Sequence, residues 1–462
     1  MSWLLIIALI FFTIIAVLRL DLAVMLIIIL LPTYLLRFQL LSIPSTFLET
    51  IILIGFSVWF IKATNLNFKA WFKNRIKRQP YPFHLEIILI LAAAFFGATI
   101  AHFSLPALGI LKAYFFEPIL LFILILNILP TSKGRQKILI ALMIGASLTA
   151  LLAIFQQITG SFIFNPFWAQ PEARRVVSWF GYPNAVGLFL GPMILIMSGW
   201  LIATWKSKPQ NIFLLTSIAL TIIASLLAIY FAKSEGAIIA VAVTGLICLF
   251  LINRLSRAIV VISLIILGVS IFLSAPLQNT IKEKVLLQNL SGEIRKQQWR
   301  ETWQTFKGPK IILGNGLSNY QQAVKPFHQE GIFFNRDKIE NFHSILYGSA
   351  ELRAKYWQPV EIYLYPHNIF LNFWTELGLL GVLVFSWLII KFLIISFRLF
   401  KNEKNFIALG LFGAMLTILI HGLVDVPYFK NDLSALFFII LALLGSLMIE
   451  NKIKFKKIIT NT

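Results

Sequence analysis

Residues 47–103 read FLETIILIGFSVWFIKATNLNFKAWFKNRIKRQPYPFHLEIILILAAAFFGATIAHF: an apolar run, a basic connection and a second apolar run. A helix rises about 1.5 Å per residue, so apolar runs of roughly 17 to 25 residues are long enough to cross a hydrocarbon core of about 30 Å. The connection carries Lys62, Lys69, Lys73, Arg75, Lys77 and Arg78. Basic residues gathered between apolar runs mark the cytoplasmic side of a bilayer.

The same pattern recurs along all 462 residues, of which 59% are hydrophobic and only 13% charged, a balance foreign to a soluble globular chain of this length. Apolar runs predict helices near 3–18, 22–36, 47–61, 84–103, 108–129, 138–158, 184–205, 212–231, 236–252, 258–274, 366–390, 406–423 and 433–450. The expected fold is an all-α polytopic membrane bundle of about 12 or 13 helices, with residues 1–274 as its first part, a large extracytoplasmic loop at 275–365, and C-terminal helices with a basic tail at 366–462. The first run lacks a basic leader and is followed by another apolar run, so it reads as a retained helix. The only cysteine, Cys248, lies in an apolar run, which excludes an intrachain disulfide framework and a CxxC metal site. Neither an inverted repeat nor a low-complexity tract is evident.

The net charge of +21 would suggest nucleic acid in a soluble protein, but its placement argues against that partner. Alternate connections hold it: Arg19, then the 62–78 set, then Lys133, Arg135 and Lys137, then Lys206 and Lys208, then Arg254 and Arg257, then Lys391, Arg398, Lys401 and Lys404, and the tail Lys452, Lys454, Lys456 and Lys457. The opposite short connections hold only Arg37, Arg174, Arg175, Lys233 and Lys430, with Lys112 near a helix end. The long loop mixes 12 basic with 8 acidic residues, and because long loops translocate regardless of charge it does not overturn the assignment. Within it, 286–306 reads as a helix whose Ile294, Trp299 and Trp303 are placed to lie against a membrane surface.

Four clusters on the predicted outer side carry chemistry. Arg174-Arg175 leads through Ser178-Trp179-Phe180-Gly181-Tyr182-Pro183 to Asn184 at the start of a membrane helix. Free N–H groups at a helix start and two arginines suit an anion such as phosphate, and headgroup anchoring at the interface is the alternative. His367-Asn368 opens another helix, where an imidazole can serve as general base or as a structural group bonded to a carbonyl. Glu376, nine residues on, is about half a turn out of phase with His367, which points to packing or inter-helix bonding. Arg295 and Arg300 in the loop, followed by Gly314-Asn315-Gly316, form a weak signal; the GxG lies outside any strand–helix dinucleotide unit, and the arginines equally fit a solvated face. His421 and Asp425 are four apart and can share a helical face, so that Asp425 would fix the His421 imidazole, in a structural or a catalytic pair. No outer-side Asp-x-Asp or His-x-x-x-His spacing demands a divalent metal. No Walker motif is present, so the substrate is expected to arrive already activated.

In this order the clusters resemble the O-antigen ligase and polysaccharide polymerase family of bacterial envelope proteins. The matching pieces are Arg175 through Phe180-Gly181-Tyr182-Pro183-Asn184, Lys233-Ser234-Glu235-Gly236-Ala237, Arg295 four before Trp299, Gly314-x-Gly316, His367-Asn368 with Glu376-x-Gly378-x-x-Gly381, and His421-Gly422 with Asp425. Glu235 stands where the family usually has arginine, which puts an anion-binding role there in question. The resemblance implies metal-independent glycosyl transfer, without a cofactor, from an undecaprenyl-diphosphate-linked glycan to an acceptor hydroxyl on the outer side of the cytoplasmic membrane. It implies that Arg175 and Arg295 neutralise the departing diphosphate while His367 orients or deprotonates the acceptor. Arg174, Asn184, Asn368, Arg300, Gly314 and Gly316 are the expected substrate-binding residues, with Glu376, His421 and Asp425 in support. The acceptor, whether lipid, glycan or protein, is not legible, and ligase and polymerase are not distinguished. A flippase for a lipid-linked sugar is the competing class, but its expected intramembrane carboxylates are scarce beyond Glu86 and Glu117.

Overall fold

The computed structural model describes residues 3–40, 43–65, 81–207 and 211–460. The basic run at 69–78 and Lys208 lie outside these residues, as do the side chains of the tail cations Lys452, Lys454, Lys456 and Lys457. Thirteen apolar helices correspond to the thirteen predicted runs among the described residues. Nine are long and apolar enough to cross a membrane and four are shorter.

In chain order they are α1 Trp3–Leu18, α2 Leu20–Ile29, α3 Phe47–Thr64, α4 His84–Ile100, α5 Leu105–Ile128, α6 Ser132–Thr159, α7 Asn184–Lys206, α8 Ile212–Phe231, α9 Glu235–Ile252 and α10 Arg254–Leu273. The loop helices α11 Ala275–Val285 and α12 Leu290–Thr305 follow, then α13 Ile369–Glu403, α14 Phe406–Gly422 and α15 Asn431–Thr460. Local signals start several of them. Thr46 and Glu49 form a reciprocal capping box on α3, Asn253 does the same with Ser256 on α10, and the Asn368 side chain accepts from the Phe370 and Leu371 N–H groups of α13.

Three helices depart from the sequence expectation for identifiable reasons. The second was expected to run to 36 but stops at Ile29; Pro32 lies in a following 3-10 turn, and the chain then folds into a hairpin of β1 Arg37–Leu40 and β2 Ile43–Thr46. Helix α5 holds a π segment at Leu111–Phe116, just before Pro118. Proline cannot donate to the carbonyl four residues back, and that carbonyl, on Tyr114, instead accepts the Tyr428 hydroxyl at 2.8 Å. Helix α13 begins at Ile369 rather than 366 and is interrupted at Gly378, whose φ of 72° and ψ of −173° are open to glycine alone.

Burial orders the bundle. In α7 and α15, 83% and 89% of the apolar window is buried, whereas in α10 it is 6%, so α10 is an outer helix whose apolar surface suits lipid. At one end, ion pairs join Lys391 to Glu86 at 2.5 Å, Arg135 to Glu450, and both Arg19 and Lys137 to Asp21. These cations belong to the basic connections identified in the sequence. At the other end sit the starts of α3, α7, α9 and α13 together with the loop.

The loop is a cap docked on the bundle. Strands β3 Gly331–Phe333 and β4 Trp357–Pro359 pair antiparallel within it. Its Gly314–Ser318 turn inserts at the interruption of α13: Asn315 N–H donates to Thr375 O at 2.6 Å, Leu317 N–H to Gly97 O at 3.0 Å, and Ser318 N–H to the Glu376 carboxylate at 2.6 Å. A Cβ on Gly378 would lie 2.4 Å from Ile312 O and one on Gly314 would lie 2.6 Å from Trp374 O, so the two backbones meet only because both residues lack one. The expected 286–306 helix is α12. Its Trp303 packs edge-on against Trp374 of α13 with ring centroids 5.4 Å apart, while Ile294 and Trp299 are half-buried.

Candidate functional site

The turn after α14, residues 423–427, is the hub of the site. Carbonyls that end a helix have no intrahelical donor and carry partial negative charge, so cationic and amide side chains collect there. Asn368 Nδ2 donates to Leu423 O at 3.0 Å and Arg295 Nε to Val424 O at 2.7 Å. Two distant segments, the α13 start and α12, are thereby fixed to one turn.

Asp425 lies at the centre, almost fully buried. Its Oδ1 accepts the Val426 N–H at 2.8 Å and faces His367 Nδ1 at 3.5 Å, a charge contact too poorly aligned to count as a hydrogen bond. Its Oδ2 accepts Asn184 Nδ2 at 3.3 Å. Burial alone would raise the carboxyl pKa, but the contact with His367, the neighbouring His421 ring and the charge of Arg295 outweigh it and hold Asp425 below the usual carboxylate range. The sequence expectation that Asp425 fixes His421 is therefore corrected. Helix α14 ends at Gly422, so positions 421 and 425 do not share a helical face, and the carboxylate turns to His367 instead. His421 is buried with its ring against the start of α9, where a Cβ on Gly236 would lie 3.0 Å from its Cδ2.

Arg175 completes the arrangement through Asn184. Its Nη2 donates to Asn184 Oδ1 at 3.2 Å and to Lys233 O at 3.3 Å, and its Nε to Ala232 O at 3.0 Å. Arg175, Asn184, Asp425 and His367 thus form one continuous chain of contacts. Arg295 spends Nε on Val424 and Nη1 on Ser291. A guanidinium has five donors, and Nη1 of Arg175 and Nη2 of Arg295 make no hydrogen bond to protein among the described residues. Burial lowers both arginine pKa values, with the charges of Glu235 on both and of Asp425 on Arg295 acting in the opposite direction. Both remain cations at neutral pH.

The Lys233–Ala237 segment serves by its backbone and its small residues. Carbonyls of Ala232 and Lys233 hold Arg175, and Gly187 of α7 packs so closely on Ser234 and Ala237 that an added Cβ would lie 2.4 Å from Ala237 Cβ. Glu235 pairs with Lys284 of α11 at 2.9 Å.

Other sequence candidates lie elsewhere. Arg174 Nη1 donates to Gln157 O at 2.7 Å and its guanidinium covers Gly160, the C-terminal end of α6, so it acts on a helix end and not in the Asp425 chain. Arg300 is exposed and sits about 140° around α12 from Arg295. Gly314, Gly316 and Glu376 form the cap–bundle joint described above. Asn368 uses its oxygen to cap α13 and its amide to hold Leu423, so it builds the turn.

Sequence reading missed the tyrosines. Tyr363 and Tyr365 flank His367 edge-on, with ring centroids 5.2 and 5.3 Å away, and the hydroxyls of Tyr365 and Tyr182 meet at 3.2 Å. The Tyr363-x-Tyr365-x-His367 spacing was the available signal, since alternate residues of an extended strand share a side. No group of three or more His, Cys, Asp or Glu side chains converges among the described residues.

Residues 220–386 match the family model described as O-antigen ligase. That span runs from α8 through the cap to the middle of α13 and contains Lys233–Ala237, Arg295 and His367; Arg175, Asn184 and Asp425 join the site from outside it. No curated protein matches the chain. Over those residues the chain is similar to the O-antigen ligase domain, in agreement with the resemblance drawn from the motifs that lie within them, and the chain is that of a polytopic membrane protein.

Proposed function

From that domain and this site, we propose that the protein transfers or polymerises a glycan, taking it from an undecaprenyl-diphosphate carrier to an acceptor hydroxyl on the outer side of the cytoplasmic membrane. The observation that supports it most is the pairing of two arginines, each with an uncommitted guanidinium nitrogen, with an imidazole backed by a buried carboxylate. Leaving-group charge and acceptor proton are the two problems of glycosyl transfer from a diphosphate, and one element of the site answers each.

With Nδ1 directed at Asp425, Nε2 is the His367 nitrogen left for the acceptor. The acceptor O–H proton passes to Nε2, its oxygen bonds to the anomeric carbon, and the bond from that carbon to the diphosphate oxygen breaks with its electron pair on the phosphate. Asp425 stabilises the imidazolium that results. Arg175 Nη1 and Arg295 Nη2 donate to the diphosphate as its charge grows, so the stabilisation is larger in the transition state than in the bound donor. The arginines supply the positive charge that a divalent ion provides in other transferases.

The test is reconstitution of the purified protein with a lipid-linked oligosaccharide and candidate acceptors, reading released undecaprenyl diphosphate. Arg295→Ala should lower turnover about 10²–10³-fold and His367→Ala about 10²–10⁴-fold, with expression unchanged. Full activity in both variants, loss of activity on chelation, or movement of the lipid-linked sugar without any transfer would each defeat the reading.

A further inference from the structure

Tyr365, whose ring flanks His367, also lines a cavity of about 570 Å³, within the range of small-molecule pockets. It is bounded by the β1–β2 hairpin and by the starts of α3, α5 and α15, and none of its lining residues entered the transfer site above except through the Tyr182–Tyr365 wall. Tyr34, Tyr114, Tyr182 and Tyr365 line it. Four phenol rings supply flat faces for sugar rings and hydroxyls for sugar hydroxyls.

Its charge is unbalanced. Arg37, Lys112, Lys430 and Glu49 are the charged lining residues. Glu49 is taken up by Lys112 at 2.8 Å, Asn431 at 2.6 Å and the Thr46 N–H at 3.1 Å, which removes it and Lys112 from play. Arg37 is exposed and makes no side-chain hydrogen bond or ion pair among the described residues. Lys430 is the more telling group. Its Nζ is out of solvent with no hydrogen-bond acceptor, its nearest carboxylate oxygen is Asp432 Oδ1 at 3.7 Å, and it otherwise faces the rings of Phe180, Tyr34 and Tyr182 at 4.4, 5.0 and 5.3 Å. Asp432 offsets the charge of this ammonium but leaves its N–H groups without a hydrogen-bond acceptor, and an anion entering the cavity would supply one.

We infer that this cavity is the acceptor subsite and that it takes an acidic sugar, whose anionic group meets Lys430 and Arg37 while its ring lies against the tyrosines. The inference rests on the transfer reading for the word acceptor: Tyr365 both lines the cavity and neighbours His367, so a sugar held there lies within one ring of the base. A lipid phosphate would satisfy the two cations but leave the Tyr34 and Tyr114 hydroxyls without a sugar hydroxyl to bond, which favours the sugar.

The experiment uses full-length protein in phosphatidylcholine nanodiscs and calorimetric binding of a uronic-acid disaccharide against its carboxyl-reduced neutral counterpart. The acidic form should bind about tenfold or more tighter. Arg37→Gln and Lys430→Met should each erase that preference, and Arg295→Ala should keep it. Arg37 is exposed, so its variant reports on binding even if the Lys430 variant misfolds. Equal binding of both sugars, a preference that survives Arg37→Gln, or one lost in Arg295→Ala would overturn the inference. So would displacement of the sugar by phosphatidylglycerol in the disc, which would assign the cavity to a lipid headgroup. Because binding is read without transfer, an acid preference in a protein that transfers nothing would sink the acceptor role and leave the anion site, whereas transfer without the preference would sink the cavity inference alone.

Discussion

Two adjacent arginines, Arg174 and Arg175, point into different surroundings. Arg174 caps the end of α6 through Gln157 O, and Arg175 is tied to Asn184 and the carbonyls before α9. Removing Arg174 should therefore lower thermal stability by about 0.3–1 kcal/mol, the value of a cation at a helix C-terminus, with turnover held within about twofold. Removing Arg175 should cost turnover about 10²-fold or more. Parallel melting and turnover measurements on Arg174→Ala and Arg175→Ala separate the two, and equal turnover losses would refute the distinction. Asp425 makes a pH prediction with a definite sign. Its pKa is depressed in the folded protein, so its ionisation stabilises the fold fully above the unfolded value of about 3.9, and that contribution is lost as pH falls through the lower folded value. The stability gap between wild type and Asp425→Asn should thus be constant from neutral pH down to about 5 and narrow in more acidic buffer, as followed by thermal shift. A gap that widened on acidification would contradict the site's electrostatics.

At the scale of elements, both irregular helices are irregular where another segment joins them. The Gly378 interruption in α13 admits the Gly314–Ser318 turn of the cap, and the π segment of α5 frees Tyr114 O for the Tyr428 hydroxyl. Tyr428 is almost fully buried. Its replacement by Phe keeps the ring packing but leaves that carbonyl without a donor, so Tyr428→Phe should lower unfolding stability by about 1–3 kcal/mol. An unchanged melting temperature would mean that the π segment satisfies the carbonyl by other means. The apolar pattern made both helices visible, but it could not show the breaks, because a glycine or proline in an apolar run reads the same whether the helix bends, splits or passes straight through.

For the whole molecule, the ion-paired basic connections gather at one end and the Asp425 site with its cap at the other. The orientation proposed from charge would put the cap outside the cytoplasm. Cys248, the only cysteine, is buried in α9, so the native chain is a quiet background for labelling. A cysteine at exposed Ser344 in the cap should react with a membrane-impermeant maleimide in intact cells, and one at exposed Lys404 should react only after lysis. The reverse result would place His367 on the wrong face for an acceptor outside the cell. The spans, the basic ends and the helix-starting Asn184 and Asn368 were legible in the chain because hydrophobic length, charge placement and capping are local and act residue by residue. Tertiary structure alone decided which arginine joins the histidine, that Asp425 serves His367 rather than His421, and that a tyrosine cavity lined by a Lys430 without a hydrogen-bond acceptor lies beside them. These depend on a five-residue turn receiving groups from α7, α12 and the start of α13, segments more than 50 residues distant from it in sequence, and no local pattern encodes how such segments converge.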